Sequence, residues 1–555
     1  MPKNSLVLFY CFLIFIASSC QNFSSSHSED QALFVSPKLV VGIVVDQMRY
    51  DYLTRFWDDY GQNGFKRLIA NGFTAKNHHF DYIQTLTGPG HASVATGTTP
   101  RFHGIIANDW FDKDSSSTAY CVDDASVQSV GTSSSYGKKS PHRLLVATLA
   151  DQNRLHTQFL GKTISISIKD RAAILSGGHT ANAAYWFYGN DEGRWITSSF
   201  YTESLPNWVQ EYNDSGFVDQ YLQPWNLLYD LSKYTESDKD NSPYEQLLKG
   251  KQSPVFPYDL EALKSQNGGF SIISDSPFGN TMTTDFAIKA IQEEALGEDK
   301  ITDFLTVSYS STDYIGHKFG INSKEIQDTY LRLDQDIARL LSFLDTHVGA
   351  NEYTLYLTSD HGASHVPSYL NDVQIPAGYF NKKDFERQLM IFTKNTFGDA
   401  GVLKNISNKQ LFLDHTLLSL SGISLQEAKS LFVEEIYKYS GISRVYTSDQ
   451  IMRFDTLDKI QARLLKGFHP KRSGDVWFVL EPNTISYPRR GTTHGSGYSY
   501  DTHAPLIFYG KGIKKGMTSE ATYISDISPT VASLLGIATS SSSTGNVISQ
   551  ALDYN

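Results

Sequence analysis

Lys38-Leu39-Val40-Val41-Gly42-Ile43-Val44-Val45 is a near-continuous apolar run that ends on Asp46. Such a run reads as a strand buried on both faces, as in a parallel sheet. Asp303-Phe304-Leu305-Thr306-Val307-Ser308-Tyr309 and Tyr353-Thr354-Leu355-Tyr356-Leu357-Thr358-Ser359 repeat the pattern, and a further strand follows Ala504-Pro505 as far as Gly510. Between them, Ser323 to Val348 places Ile326, Leu331, Leu333, Ile337, Leu340, Leu341 and Leu344 at helical spacing, a long amphipathic helix suited to covering a sheet. The fold expected is α/β, a mostly parallel central sheet sandwiched by helices. A carboxylate at the C-terminal end of such a strand lies where α/β sheets place ligands. Asp46 could instead cap the helix expected near Tyr50 to Trp57.

The rest of the composition bounds the function. The 555 residues are 40% hydrophobic and 19% charged, as in a folded soluble protein. A net charge of −11 argues against a nucleic-acid duplex as the main partner. Lys3 followed by the unbroken apolar run Leu6–Ala17 is too short to span a bilayer and suits a signal peptide, residues 1–20. Cys20 resembles a lipoprotein processing site, with simple cleavage near it as the alternative. The expected location is therefore the bacterial periplasm, or the outer membrane through a lipid anchor at Cys20. Residues 21–37 read as a linker, and 38–555 as one catalytic domain with insertions at about 184–297 and about 366–490. Within the second insertion, helical patterns run near Gln410 to Leu418 and Leu425 to Lys438, and Asp475 to Leu480 reads as a strand. The Ser-rich tail from Ala538 reads as loose. Only Cys121 remains beyond the export segment, so a metal site must rest on Asp and His, which suits zinc or manganese.

Thr87-Gly88-Pro89-Gly90-His91 reads as a hydroxyl presented at a helix start. Pro suits the first turn, glycines let backbone approach an anion, and the free N–H groups favour negative charge. It also reads as an ordinary turn. Asn108 could donate its amide to an oxyanion or simply occupy a loop. Alternation from Thr163 to Arg171 sends Lys169 and Arg171 to one face of a strand, either to bind phosphate oxygens or as a solvated edge. His179, in a Gly-rich turn, reads as supporting or packing. Asp313 and His317, four apart after a strand, share one face of a helical turn, as metal ligands or as a cap and a surface His. Asp360-His361-Gly362 closes another strand, and the two side chains converge only if the chain turns there. His494 lies in a Gly- and Thr-rich loop, mobile enough to close over a site; His503 reads as structural. The six groups Asp46, Asp313, His317, Asp360, His361 and His494 divide into two sites of three, and two metals roughly 3.5–4 Å apart suit an in-line displacement.

These motifs, Asp46, Thr87-x-Pro89-x-His91, Asn108, Lys169-Asp170-Arg171, Asp313-x-x-x-His317, Asp360-His361-Gly362 and His494-Gly495, resemble the alkaline phosphatase superfamily. They are most similar to its secreted, single-chain PafA-like bacterial type. The resemblance implies two zinc ions, one held by Asp313, His317 and His494, the other by Asp46, Asp360 and His361 with Thr87. It implies Thr87 as nucleophile, a phosphothreonine intermediate, and Asn108, Lys169 and Arg171 as ligands of the phosphate oxygens. Small-molecule phosphate monoesters are the expected partners, with weaker phosphodiesterase activity and a monomeric chain. His91 is expected to support the site without ligating. A nucleotide pyrophosphatase/phosphodiesterase of the same superfamily is the alternative, and that branch typically lacks the Lys/Arg pair. A sulfatase is disfavoured because Thr87 cannot become formylglycine and His91 stands where that branch has Arg. A non-catalytic surface binding lipoprotein would not need the whole ligand set.

Overall fold

In a computed structural model that describes residues 36–455 and 458–553, Leu39–Val45 is a strand buried along its whole length. The expected signal peptide, Cys20 and nearly all of the linker lie outside the described residues. Side-chain alternation divides this strand between two cores. Leu39, Val41, Ile43 and Val45 pack with Phe286, Ile337 and Leu340 on one side. Val40 and Val44 pack with Ile527 and Val531 on the other. Each fully buried branched side chain contributes about 1.5–3 kcal/mol, so the strand is anchored from both faces.

The sheet has ten strands, in the order Gly516–Tyr523, Phe73–His79, Leu506–Gly510, Tyr353–Thr358, Leu39–Val45, Asp303–Tyr309, Thr163–Ser167, Ala183–Tyr188, Arg194–Ser198 and Ser129–Val130. Leu39–Val45 runs parallel to both neighbours, and Asp303–Tyr309 runs parallel to Thr163–Ser167. Four adjacent parallel strands therefore end at one edge, where Asp46, Asp313, Asp360-His361 and Lys169 follow them. Leu506–Gly510 pairs antiparallel on both sides. The expected amphipathic helix is Lys324–Leu344, capped by Ser323 Oγ accepting from Ile326 N–H at 3.2 Å.

Several local expectations change. The strand from Thr163 stops at Ser167, and Asp170–Gly177 is a helix with Lys169 as its first flanking residue. Polar–apolar alternation continues past the turn by coincidence, so Lys169 and Arg171 do not share a strand face. The first excursion is narrower than 184–297. Ala183–Tyr188 and Arg194–Ser198 belong to the main sheet, and Phe278–Glu293 packs on it through Phe286, Ala287, Ala290 and Ile291. Tyr185, Trp186 and Trp195 are strand formers buried within the main sheet.

The second excursion carries its own four-stranded antiparallel sheet, ordered Leu403–Ser407, Gln410–Leu413, Val476–Leu480, Ile442–Thr447. Gln410–Leu413 is thus a strand, with helix only from His415 to Ser421; helix Leu425–Ile436 and strand Val476–Leu480 are where the patterns put them. Phe385, Phe397, Phe432 and Phe478 fill a core separate from that of the main sheet. The tail is not loose. Thr544 N–H and Gly545 N–H donate to Gly97 C=O at 2.9 and 3.2 Å, and Ile548, Ala551 and Leu552 are buried. Three apolar residues outweigh the serines around them.

Candidate metal centre and nucleophile

Thr87 opens the helix Thr87–Thr96, and Thr87, Gly88, Pro89, Gly90 and His91 are all buried. Asn108 reaches this turn: Gly88 N–H donates to Asn108 Oδ1 at 2.7 Å. That bond orients the amide and leaves its NH₂ group to donate elsewhere. Gly90 has a different task from the one read in the sequence. A Cβ there would collide with the Asp360 carbonyl oxygen and lie 2.7 Å from Asp360 Cβ. Glycine at 90 therefore lets the nucleophile helix approach a candidate ligand's backbone. Gly362 acts likewise: a Cβ would meet the Tyr500 carbonyl and sit 3.2 Å from Asp501 Cα. Gly362 N–H and Ala363 N–H donate to Asp501 C=O and Tyr500 C=O at 2.8 and 3.1 Å.

Two groups of side chains could each hold a metal ion: Asp46, Asp360 and His361, and Asp313, His361 and His494. His361 belongs to both. His317 stands beside the second group, its Nε2 3.2 Å from Asp313 Oδ1, with His494 Nε2 3.6 Å from the same oxygen. The three imidazoles are oriented alike. Nδ1 of His317, His361 and His494 lies 2.7, 3.0 and 2.7 Å from the backbone carbonyls of Thr492, Gly362 and Thr85. A ring whose Nδ1–H donates to a carbonyl presents Nε2 as an electron pair, the arrangement that orients metal-bound His. The loop carrying His494 is accordingly pinned: Thr492 N–H donates to His317 C=O at 3.0 Å and Ser496 N–H to Asp501 Oδ2 at 2.7 Å.

Lys169 enters between the groups. Its Nζ lies 2.6 Å from both Asp46 Oδ2 and Asp313 Oδ2. Burial opposes the charge on Lys169, but Asp313 and Asp46 outweigh it and raise its pKa above the ordinary value. One ammonium does not neutralise three carboxylates. Burial lifts the Asp46 carboxyl to about 6, against the pull of Lys169. Burial and the Asp46 charge lift Asp360 well above the usual range. Asp313 goes the other way: burial would raise it, but His317 and Lys169 hold it well below. Burial pushes His494 down to about 3, with His317 adding to the effect.

Arg171 completes the anion-facing side. Its Nη2 lies 3.4 Å from Thr87 Oγ1, and its Nη1 donates to Tyr120 OH at 3.0 Å. Tyr120 OH in turn donates to Asp170 Oδ1 at 2.6 Å. Asp170 thus holds the frame and does not enter the site.

Gln47 carries a role with no signal in the residue pattern beyond its place after Asp46. Its N–H donates to Asp360 Oδ1 at 3.1 Å and its Nε2 to Asp313 Oδ1 at 2.6 Å, one carboxylate from each group. It does so at φ +64°, a conformation that costs of order 1 kcal/mol for a non-glycine residue and marks functional sites. His91 supports as expected, its Nδ1 3.0 Å from Thr87 C=O and Nε2 2.9 Å from Ser308 Oγ. His179 contacts Asp151 and the Leu144 carbonyl. His503 stacks on Tyr50 and His79. Cys121 is buried in the apolar cluster with Ile105 and Trp110.

Residues 40–504 match the family model for type I phosphodiesterase / nucleotide pyrophosphatase. The chain is 41% identical over 519 residues to the alkaline phosphatase PafA of Elizabethkingia meningoseptica, covering 93% of this chain and 94% of that one. It is 43% identical over 522 residues to a Myroides odoratus protein named calcium-transporting ATPase, covering 93% and 95%. Its fold superposes on the crystal structure of wild-type PafA with a TM-score of 0.90 at 40% identity, covering 93% of this chain and 99% of that one.

Proposed function

The chain belongs to the type I phosphodiesterase / nucleotide pyrophosphatase family of the alkaline phosphatase superfamily, and from that premise we propose that it is an alkaline phosphatase. It hydrolyses phosphate monoesters with Thr87 as nucleophile. The observation that carries the reading is a Thr87 turn that Asn108 and Arg171 contact and that packs, through Gly90 and His91, against Asp360 of two metal-ligand groups sharing His361.

The residues fit divalent cations. Asp46 Oδ1, Asp360 Oδ2 and His361 Nε2 are buried without a hydrogen-bond partner, a costly state that a metal relieves. The raised carboxyls of Asp46 and Asp360 are what an adjacent cation would return to the ionised form. Asp46, Asp360 and His361 would hold one ion beside Thr87, and Asp313, His317 and His494 the other; we assign both as zinc from the nitrogen and oxygen donor set. Bound there, the ions would supply Lewis-acid stabilisation of charge on the attacking and leaving oxygens.

The chain's own groups do the rest. Thr87 Oγ, its proton lost to solvent, attacks phosphorus in line; the bond from phosphorus to the ester oxygen breaks, that oxygen departs with the organic group and takes up a proton from solvent, and a phosphothreonine forms. Water then attacks the same phosphorus and restores Thr87, releasing inorganic phosphate. Asn108 Nδ2, freed by the bond its Oδ1 makes to Gly88, donates to a non-bridging oxygen. Arg171 presents Nη2 to the same oxygens while Tyr120 fixes its other nitrogen. Lys169 holds Asp46 and Asp313 in place and offsets negative charge where a dianion must bind. A dianionic monoester repays two cations more than a diester does, so diester hydrolysis is the weaker activity. ATP hydrolysis, suggested by the name of the Myroides relative, is phosphoryl transfer too, and no observation favours transport.

Zinc-loaded protein should release phosphate from an aryl phosphate. Thr87→Ala and chelated protein should both fall by several orders of magnitude. Undiminished turnover by Thr87→Ala would remove the nucleophile from this assignment.

A further inference from the structure

The tip of a hairpin in the second excursion reaches the catalytic groups. Strands Leu403–Ser407 and Gln410–Leu413 pair antiparallel, and the two residues joining them, Asn408 and Lys409, are both left-handed, at φ +52° and +62°. Two positive φ values in a two-residue loop match the right-handed twist of the flanking strands. Asn adopts that conformation readily, whereas Lys does so only under strain. Strain of this kind gathers at functional sites.

Three hydrogen bonds join this tip to segments that carry the reaction. Gln84 Nε2, three residues before Thr87, donates to Asn408 C=O at 2.6 Å. Asn408 Nδ2 donates at 2.6 Å to the carbonyl of Asp109, the residue after Asn108. Lys409 Nζ donates at 3.2 Å to the carbonyl of Gly495, the residue after His494. The segments meet at one place: a Cβ on Gly495 would lie 3.8 Å from both Lys409 Nζ and Gln84 Oε1, and 3.3 Å from Leu86 Cδ2. Phe412, on the same hairpin, packs its ring 5.2 Å from that of Phe111, so the hairpin docks along the strand Asp109–Asp112.

We propose that Asn408 and Lys409 are positioning residues for the phosphatase reaction. Asn408 fixes the strand whose preceding residue presents the Asn108 amide, and Lys409 fixes the loop that presents His494. The inference rests on the phosphatase reading of the site. None of the three bonds is made to a side chain of the metal-ligand groups, so the tip acts through backbone placement.

The tip completes a partly closed ring of contacts. The Thr87 turn already holds Asn108 through Gly88 N–H, and Thr85 Oγ1 donates to Ser496 C=O at 2.9 Å on the His494 loop. The hairpin joins the remaining two ends, Asp109 and Gly495. A displacement of about 1 Å in such a frame can cost 10²-fold in rate. The two neighbours act on different events, Asn408 on phosphate binding and Lys409 on metal retention.

The test compares Asn408→Gly with Lys409→Met in the full chain. Glycine keeps the left-handed turn and removes the amide; methionine keeps an unbranched stem and removes the donor. Asn408→Gly should weaken binding of inorganic phosphate to zinc-loaded protein about 10-fold, read by calorimetry, with zinc affinity unchanged. Lys409→Met should weaken zinc retention against a competing chelator about 10-fold, with phosphate binding at saturating zinc within about twofold of wild type. Both variants should melt within about 3 °C of wild type. Loss of both properties in both variants, in step with a lower melting temperature, would reduce the hairpin to scaffold and overturn the proposal. So would two variants that hold zinc and phosphate as wild type does. Neither readout requires turnover, so phosphate release from an aryl ester by the wild-type chain tests the phosphatase reading separately.

Discussion

The amide oxygen of Asn108 accepts the backbone N–H of Gly88, the residue after Thr87, at 2.7 Å. This bond ties a loop residue to the nucleophile turn and fixes which end of the amide faces the anion. Asn108→Ala should lower kcat/KM for an aryl phosphate roughly 10²–10³-fold, the usual effect of removing one oxyanion donor. Asn108→Asp keeps an acceptor for Gly88 but replaces the donor with negative charge, and should be at least as damaging. Steady-state kinetics at saturating zinc checks the order; an aspartate variant near wild type would remove Asn108 from phosphate binding.

Lys169 and Arg171 should discriminate by substrate charge. Replacing both by Ala should reduce monoester hydrolysis far more than hydrolysis of a matched diester. Equal losses would mean that the pair only holds the scaffold. Lys169→Ala alone should also weaken zinc retention less than Asp46→Ala does, because it removes a counter-charge and not a ligand. Metal content after dialysis measures that difference.

Gly90→Ala places a methyl group against the Asp360 carbonyl. Such overpacking costs about 1–3 kcal/mol where neighbours cannot move, and here the neighbour is backbone. The variant should melt lower and lose activity together, because the displaced residue is itself a candidate ligand. A variant with normal melting and full activity would show that the helix can slide away from Asp360.

Asp336 gives a pH dependence with a definite sign. Burial raises its carboxyl to about 6 from 3.8, against the pull of Arg339. The folded chain thus holds this proton more tightly than the unfolded chain. The contribution is present in full below about pH 3.8 and is lost as pH rises through about 6. Asp336→Asn abolishes that loss, so its stability relative to wild type should improve between pH 4 and 6.5 by up to about 3 kcal/mol. Paired denaturant melts across that range measure it; a constant difference would show that Asp336 is ionised throughout.

Much of the fold was legible because buried parallel strands are written as unbroken apolar runs. Leu39–Val45, Asp303–Tyr309 and Tyr353–Thr358 stand where those runs lie. The alternation at Thr163 misled beyond Ser167, because a period of two in residue type does not require strand backbone once a helix can start. The Ser-rich tail misled because Ile548 and Leu552 dock it despite its average composition.

The sequence by itself determined which chemistry was available. Thr87 at a helix start, Asp and His after buried strands, and a lone Cys121 admit a nitrogen- and oxygen-lined metal site and no thiolate one. Only the tertiary structure decided how the pieces meet. It made His361 common to both ligand groups, set Lys169 between Asp46 and Asp313, and gave Gln47 a hold on Asp360 and Asp313. The reason is geometric. Strand-to-strand register fixes which loop ends are neighbours, and residues hundreds of positions apart acquire a shared field only when the sheet has formed.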